Sequence, residues 1–187
     1  MQSLARISTR NIFISRLRPA RLPTGSFLSP ALRTASMASR SGNQASPPAK
    51  KMAHFPKIES QAADSPDFRR VLWTGEHSQL VIMTVPVDGE IGEEVHTVDQ
   101  HLIFTSGTAK AIVAGEEKVV KEGDLVIVPA GTKHNFINTA KTPLVLYTVY
   151  APAEHSTTTV HKSLEEGEKL EDAGKDEPPT WSQKDGK

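Results

Sequence analysis

Gly123-Asp124-Leu125-Val126-Ile127-Val128-Pro129-Ala130-Gly131-Thr132-Lys133-His134-Asn135-Phe136-Ile137-Asn138 is the stretch on which the fold turns. Four apolar residues, Leu125 to Val128, run straight into a Pro-Ala-Gly turn. Beyond it, His134, Phe136 and Asn138 share one parity and therefore one face of an extended chain. With Pro at i+1 and Gly at i+3, Val128-Pro129-Ala130-Gly131 predicts a type I turn. Leu125 to Val128 is apolar on both strand faces, as is Leu144-Val145-Leu146. That pattern is expected where one face fills a barrel and the other packs beneath a second layer.

Working outward, the same rhythm repeats. Short β-rich runs divided by turn signals appear at Arg70 to Trp73, Leu80 to Val85, Leu102 to Thr105, Ala109 to Ala114, Lys118 to Lys121, Asn135 to Asn138 and Leu144 to Tyr150. No helix-length amphipathic pattern interrupts them, so an all-β sandwich or barrel is predicted over residues 60–162. Gly115-Glu116, between Ile112-Val113-Ala114 and Val119-Val120, reads as a two-residue hairpin with Gly leading a type II′ turn.

The chain lacks G-x-x-x-x-G-K-[ST], G-x-G-x-x-G and G-x-S-x-G, so the phosphate-loop, dinucleotide and serine-hydrolase readings lose their main support. It also lacks cysteine, which removes disulfides, thiol catalysis and zinc–thiolate sites. Any metal must be held by nitrogen and oxygen. A second cluster, Glu94-Val95-His96-Thr97-Val98-Asp99-Gln100 followed by Gly107, supplies such atoms, because Glu94, His96 and Gln100 have the same parity. Placed beside the strand of His134, it would bring three or four donors together inside a barrel. Such a set suits a divalent cation, which compensates an interior carboxylate.

Gly123, Pro129, Gly131, His134 and Asn138 match every fixed position of the second cupin motif, and the segment 94–107 resembles the first motif in altered form. Glu94 stands where the first histidine of H-x-H is usual, His96 is the second histidine, Gln100 occupies the glutamate position and Gly107 closes the motif. From Arg69 to His161 the chain resembles small single-domain cupins, including proteins loosely described as mannose-6-phosphate-isomerase-like. The resemblance implies a double-stranded β-helix, or jelly-roll, barrel. It also implies one divalent ion (Fe, Mn, Ni or Zn) on Glu94, His96, Gln100 and His134, still two imidazoles and two oxygens. Isomerase, lyase or dioxygenase chemistry on a small polar metabolite then follows. The alternative is a non-catalytic barrel that binds a small ligand or stores metal, with Ile82, Ile103 and Phe136 as apolar surroundings. The family's barrels commonly pair, so a homodimer is expected, with Phe68 to Trp73 as the edge strand needing cover.

Other polar residues rank below these. His101 has the opposite parity and is expected to face outward, and His77 lies in a turn. Glu154, His155 and His161 are expected to line a mouth, stabilise a dimer or be exposed. Of Tyr147 and Tyr150, which differ in parity, Tyr147 is the candidate proton donor.

The formal charge of zero conceals an asymmetry. Residues 1–51 carry nine basic side chains and no acidic one, while the rest hold thirteen basic against twenty-two acidic, a net of −9. That balance argues against nucleic acid or an anionic membrane as partner of the folded part. Arg6, Arg10, Arg16, Arg18, Arg21, Arg33 and Arg40 among Ser, Thr, Leu and Ile read as a mitochondrial transit peptide, or else a disordered basic tail. Initiation at Met37 or Met52 would give a cytosolic form. At the other end, residues 163–187, rich in Glu and with Trp181 alone, read as a short charged helix or a solvated tail, so the barrel is expected to lie between poorly ordered segments.

Overall fold

The computed structural model describes residues 46–183, and the leader readings for 1–45, Met37 included, lie outside them. Among the described residues ten strands pair antiparallel in two sheets. They are β1 (Arg69–Thr74), β2 (Gln79–Val85), β3 (Glu94–Val95), β4 (Asp99–Ser106), β5 (Thr108–Val113), β6 (Glu116–Lys121), β7 (Leu125–Val128), β8 (Lys133–Asn138), β9 (Leu144–Ala151) and β10 (Val160–His161). One sheet runs β10-β1-β2-β9-β4-β7 and the other β3-β8-β5-β6. Alternate residues face between them: Val81, Met83 and Val85 from β2, Leu102 and Phe104 from β4, Leu144 and Leu146 from β9, and Ala109, Ala111 and Phe136 from the smaller sheet. This is the predicted jelly roll, its period-two pattern set by the pleat.

Both turns form with a different geometry from the predicted one. Thr132 N donates to Pro129 O at 3.2 Å and Gly131 has φ +75°, so Pro129 is residue i and Gly131 residue i+2, as in a type II turn. Val113 pairs with Glu116, which makes Ala114 (φ 51°) and Gly115 (φ 82°) the central pair of a type I′ hairpin, one residue earlier than predicted.

The larger sheet is covered on part of its outer face by α1 (Ile58–Ala63), whose Ala62 packs with Ile82 and Val145 and against Leu72 and Tyr147. No cover reaches β7 among the described residues, and Leu125 and Ile127 are 56% and 54% exposed there. The two-layer expectation therefore holds for β9 and fails for β7. Nor is β1 an edge, since Arg69 pairs with His161 of β10 and Val71 N donates to Thr159 O.

Of the two readings of the stretch after Ser163, the helix forms, and it is packed rather than solvated. Ser163 caps α2 (Leu164–Asp172) by accepting from Glu166 N, and the Glu166 carboxylate reaches back past the cap residue to accept from Lys162 N. Gly167, Asp176 and Ser182 are buried, and a 3-10 turn spans Thr180–Ser182. No helix among the described residues is long and apolar enough to cross a membrane.

Candidate metal centre

Glu94 and His134 are direct cross-strand partners on β3 and β8, so an interior carboxylate and an interior imidazole meet by register alone. His96 follows on the link to β4, where the chain crosses to the larger sheet. The type II turn fixes that link: Gly131 N donates to His96 O at 2.7 Å and Ala130 N to Asp99 Oδ1 at 2.9 Å. A side chain at Gly131 would strain the positive φ the turn requires. Glu94 Oε2 then lies 3.0 Å from His96 Nε2 and 3.9 Å from His134 Nε2, and the three residues form one cluster of donor atoms.

Each imidazole is oriented by its other nitrogen. His134 Nδ1 donates to Thr132 O at 2.9 Å, which puts the lone pair on Nε2, and Nε2 is buried with no partner. Burial pushes the pKa of His134 below the ordinary histidine value, keeping it neutral. His96 Nδ1 donates to Glu154 Oε1 at 3.0 Å, leaving Nε2 for the cluster. A carboxylate or carbonyl behind the imidazole is the arrangement that tunes metal-ligating histidines. Without a cation His96 is flanked by two carboxylates. Burial alone would lower its pKa, but the hydrogen bonds His96 donates to Glu154 and Glu94 outweigh it and raise it to about 9.

Gln100 pairs with Tyr150 across β4 and β9 and donates Nε2 to the Tyr150 hydroxyl at 3.0 Å, so Oε1 is left buried without a partner. Tyr150, buried beside His96 with ring centroids 5.4 Å apart, is the tyrosine that enters the barrel. Tyr147 packs outside under α1 and is no proton donor to this site. Burial raises the Tyr150 pKa far above the usual phenol value, so it stays protonated. His101 and Ile103 lie on the opposite face of β4 from Gln100, Ile82 lies under α1, and only Phe136 of the expected apolar surroundings is inside.

One charge went unrecognised in the sequence. Arg69, fully buried, donates Nη2 to Glu94 Oε1 at 2.7 Å, and its Nη1 bonds to Glu171 of α2. Burial opposes ionisation of Glu94, yet the Arg69 charge and His96 hold its pKa at about 2. His155 and His161, expected at a mouth, at a dimer contact or exposed, are instead buried and gathered about Asp176. Asp176 stays ionised, its pKa held below the usual value, because the hydrogen bond from His155 outweighs burial. Burial lowers the pKa of His161.

A jelly roll of two antiparallel sheets with a histidine–carboxylate cluster between them defines a class of small β-barrel proteins. Within that class the chain belongs to the cupin family: the cupin domain model matches residues 81–150. The solved structure of BH2720 from Bacillus halodurans is 31% identical and superposes with a TM-score of 0.62 over 66% of this chain and 99% of that one. Uncharacterized protein YrkC of Bacillus subtilis is 40% identical over 113 residues, and uncharacterized protein L612 of Acanthamoeba polyphaga mimivirus is 39% identical over 104. These matches cover 56% and 52% of this chain, and 60% and 64% of the relatives' own lengths.

Proposed function

We propose that this cupin is a mononuclear metalloenzyme acting on a small polar metabolite, with Glu94, His96, Gln100 and His134 as metal ligands. The observation that carries the reading is His134 Nε2, a buried, neutral, unpartnered lone pair 3.9 Å from a carboxylate oxygen. A buried acceptor without a donor costs about 1–3 kcal/mol, and a cation removes that cost. The unpartnered Gln100 Oε1 supports the same reading. Nitrogen and oxygen donors of this kind suit iron, manganese, nickel or zinc.

When bound, a divalent ion would supply Lewis acidity toward a carbonyl or hydroxyl, the basis of isomerase or lyase chemistry, with dioxygenase chemistry if it is iron. The chain's own groups do the rest. Arg69 fixes one Glu94 oxygen and leaves the other to the site. Glu154 holds the Nδ1 proton of His96 and so turns Nε2 toward the site. These polar neighbours, with the protonated Tyr150, favour turnover over binding alone.

The test is metal analysis of protein purified without added salts, comparing the native chain with His134→Ala. Loss of one equivalent per chain is expected, and a native chain free of metal overturns the reading. Two further proposals accompany it. The arginine-rich leader directs the longest form to the mitochondrial matrix, and a reporter behind residues 1–51 should enter mitochondria while one behind 37–51 should not. The exposed Leu125 and Ile127 face supports a homodimer, which light scattering at micromolar concentration would contradict by returning a monomer mass.

A further inference from the structure

We infer that His155, His161, Glu171 and Asp176 form a second, structural metal site that fastens the C-terminal segment to the barrel. His155 Nδ1 lies 2.8 Å from Asp176 Oδ2 and 3.7 Å from Glu171 Oε1, and His161 Nε2 lies 3.5 Å from the same Asp176 oxygen. Donors bound to one first-row ion at about 2.0–2.2 Å stand roughly 3–3.5 Å from one another. His155, Glu171 and Asp176 have their donor atoms within 4.8 Å of one another, and His161 joins them through its contact with Asp176. Two imidazoles and two carboxylates make a four-donor set, and three of the four are buried, as in closed structural sites.

The surroundings are built to hold these atoms. Asp176 Oδ1 accepts from Ser156 N at 3.2 Å and from the Thr159 hydroxyl, so Oδ2 alone faces the two imidazoles. The His155 backbone is clamped by Gln79, which donates to its carbonyl at 2.7 Å and accepts from its amide at 3.0 Å. Register with Arg69 fixes His161 on β10. Helix α2 passes the His161 ring at a glycine, for a Cβ on Gly167 would come within 2.9 Å of Nδ1. His155 Nε2 and His161 Nδ1 are buried without partners, so these are two interior imidazoles whose polar neighbours converge on one carboxylate.

Charge points the same way. Arg69 divides its single charge between Glu94 and Glu171. Glu171 Oε1 is the oxygen that takes Arg69 Nη1, so it is Asp176 that lacks an arginine or lysine partner among the described residues, and a divalent ion beside His155 and His161 supplies that charge. The site is distinct from the barrel centre, with the Tyr150 ring standing between His96 and His155 at centroid distances of 5.4 and 5.1 Å.

Zinc titration of the chelator-stripped full chain tests this, read as equivalents bound. Two equivalents are expected for the native chain. His134→Ala should bind one, because it touches nothing in the second site, and Asp176→Asn or His161→Gln should each bind one. His134→Ala combined with His161→Gln should bind none. The proposal is overturned if the native chain saturates at one equivalent that His134→Ala abolishes, or if His161→Gln leaves zinc binding by His134→Ala unchanged. A native chain with one equivalent that His134→Ala keeps and His161→Gln loses would instead overturn the barrel-centre reading and leave this one standing.

Discussion

Arg69 reaches Glu94 across 2.7 Å inside the barrel, and that contact changes what the carboxylate is. Glu94 is not an unpaired interior charge awaiting a cation: one oxygen is already neutralised, and only Oε2 is offered to His96 and His134. From the sequence alone, Glu94→Gln would be expected to raise the stability of an empty barrel by removing an uncompensated carboxylate. The structure reverses the sign. Glu94→Gln leaves a buried guanidinium with Glu171 as its remaining partner, and breaking such a pair costs about 3–5 kcal/mol. Thermal unfolding of the metal-free chain should move to lower temperature, and metal affinity should fall as well. An unchanged or higher melting temperature would mean that Arg69 is satisfied elsewhere.

His134→Ala should release the barrel ion, whereas His101→Ala should retain it. The difference is one of face: His134 is buried opposite Glu94, while His101 sits between Gln100 and Leu102 with its side chain on the other side of the sheet. Changes behind a ligand typically cost about 10- to 100-fold in affinity, and loss of a ligand should cost at least that. Competition with a chromophoric chelator measures it. Equal affinities for the two variants would remove His134 from the site.

Tyr150→Phe isolates the role of Gln100. The hydroxyl accepts from Gln100 Nε2, and without it a buried amide donor loses its partner at a cost of about 1–3 kcal/mol. The amide is then free to rotate, so metal affinity should decline, though less than in His134→Ala. An affinity equal to that of the native chain would show that Oε1 is positioned without the tyrosine.

Two groups set the outer limits of the stripped chain's pH dependence. His96 has its pKa raised to about 9, so its contribution is fully present below about 6.5, the unfolded value, and is lost as pH rises through 9. Glu94, lowered to about 2, contributes fully above about 4.5 and loses that contribution as pH falls through 2. Each shift corresponds to about 3 kcal/mol, and the two share the Glu94–His96 contact, so they do not add. His134 and His161, whose pKa is lowered, cost stability as pH falls below about 6.5, so the melting temperature should be highest near pH 6.5 and decline on both sides. A flat profile from pH 6.5 to 9 would contradict the double carboxylate environment of His96. Metal affinity should climb over the same interval, because the ion must displace the His96 proton.

What was legible in the sequence was whatever period two and fixed motif spacing encode. The long strands, the inward set His134, Phe136 and Asn138, and the outward His101 all follow from parity. Glu94, His96 and Gln100 were grouped for a reason that proves incomplete. They lie on no common strand, because the chain passes from the smaller sheet at β3 to the larger at β4 between them. Arg69 carried no local signal, since a buried arginine is recognised only by partners 25 and 102 residues away. The packed C-terminus was partly visible: Ser163 and Glu166 have the spacing of a capping box, which marks a helix start, but nothing near Asp176 announces its burial among two histidines.

The last expectation concerns the hairpin far from either site. Ala114 is held at φ 51°, a conformation that costs an L-residue with a Cβ about 1–2 kcal/mol, because pairing of β5 with β6 requires positive φ at both turn positions. The ladder on both sides holds it there, together with the hydrogen bond from Ala114 N to Lys133 O at 2.9 Å. Asparagine tolerates this region better and forms the preferred Asn-Gly pair with Gly115, without the added chain entropy that a second glycine would give the unfolded state. Position 114 is exposed, so the longer side chain meets no neighbour that must move. Ala114→Asn should stabilise the chain by about 1 kcal/mol, a rise of roughly 2–5 °C in melting temperature, with metal content unchanged. A fall in melting temperature would mean that the turn is not type I′ in solution and that the register Val113–Glu116 has slipped.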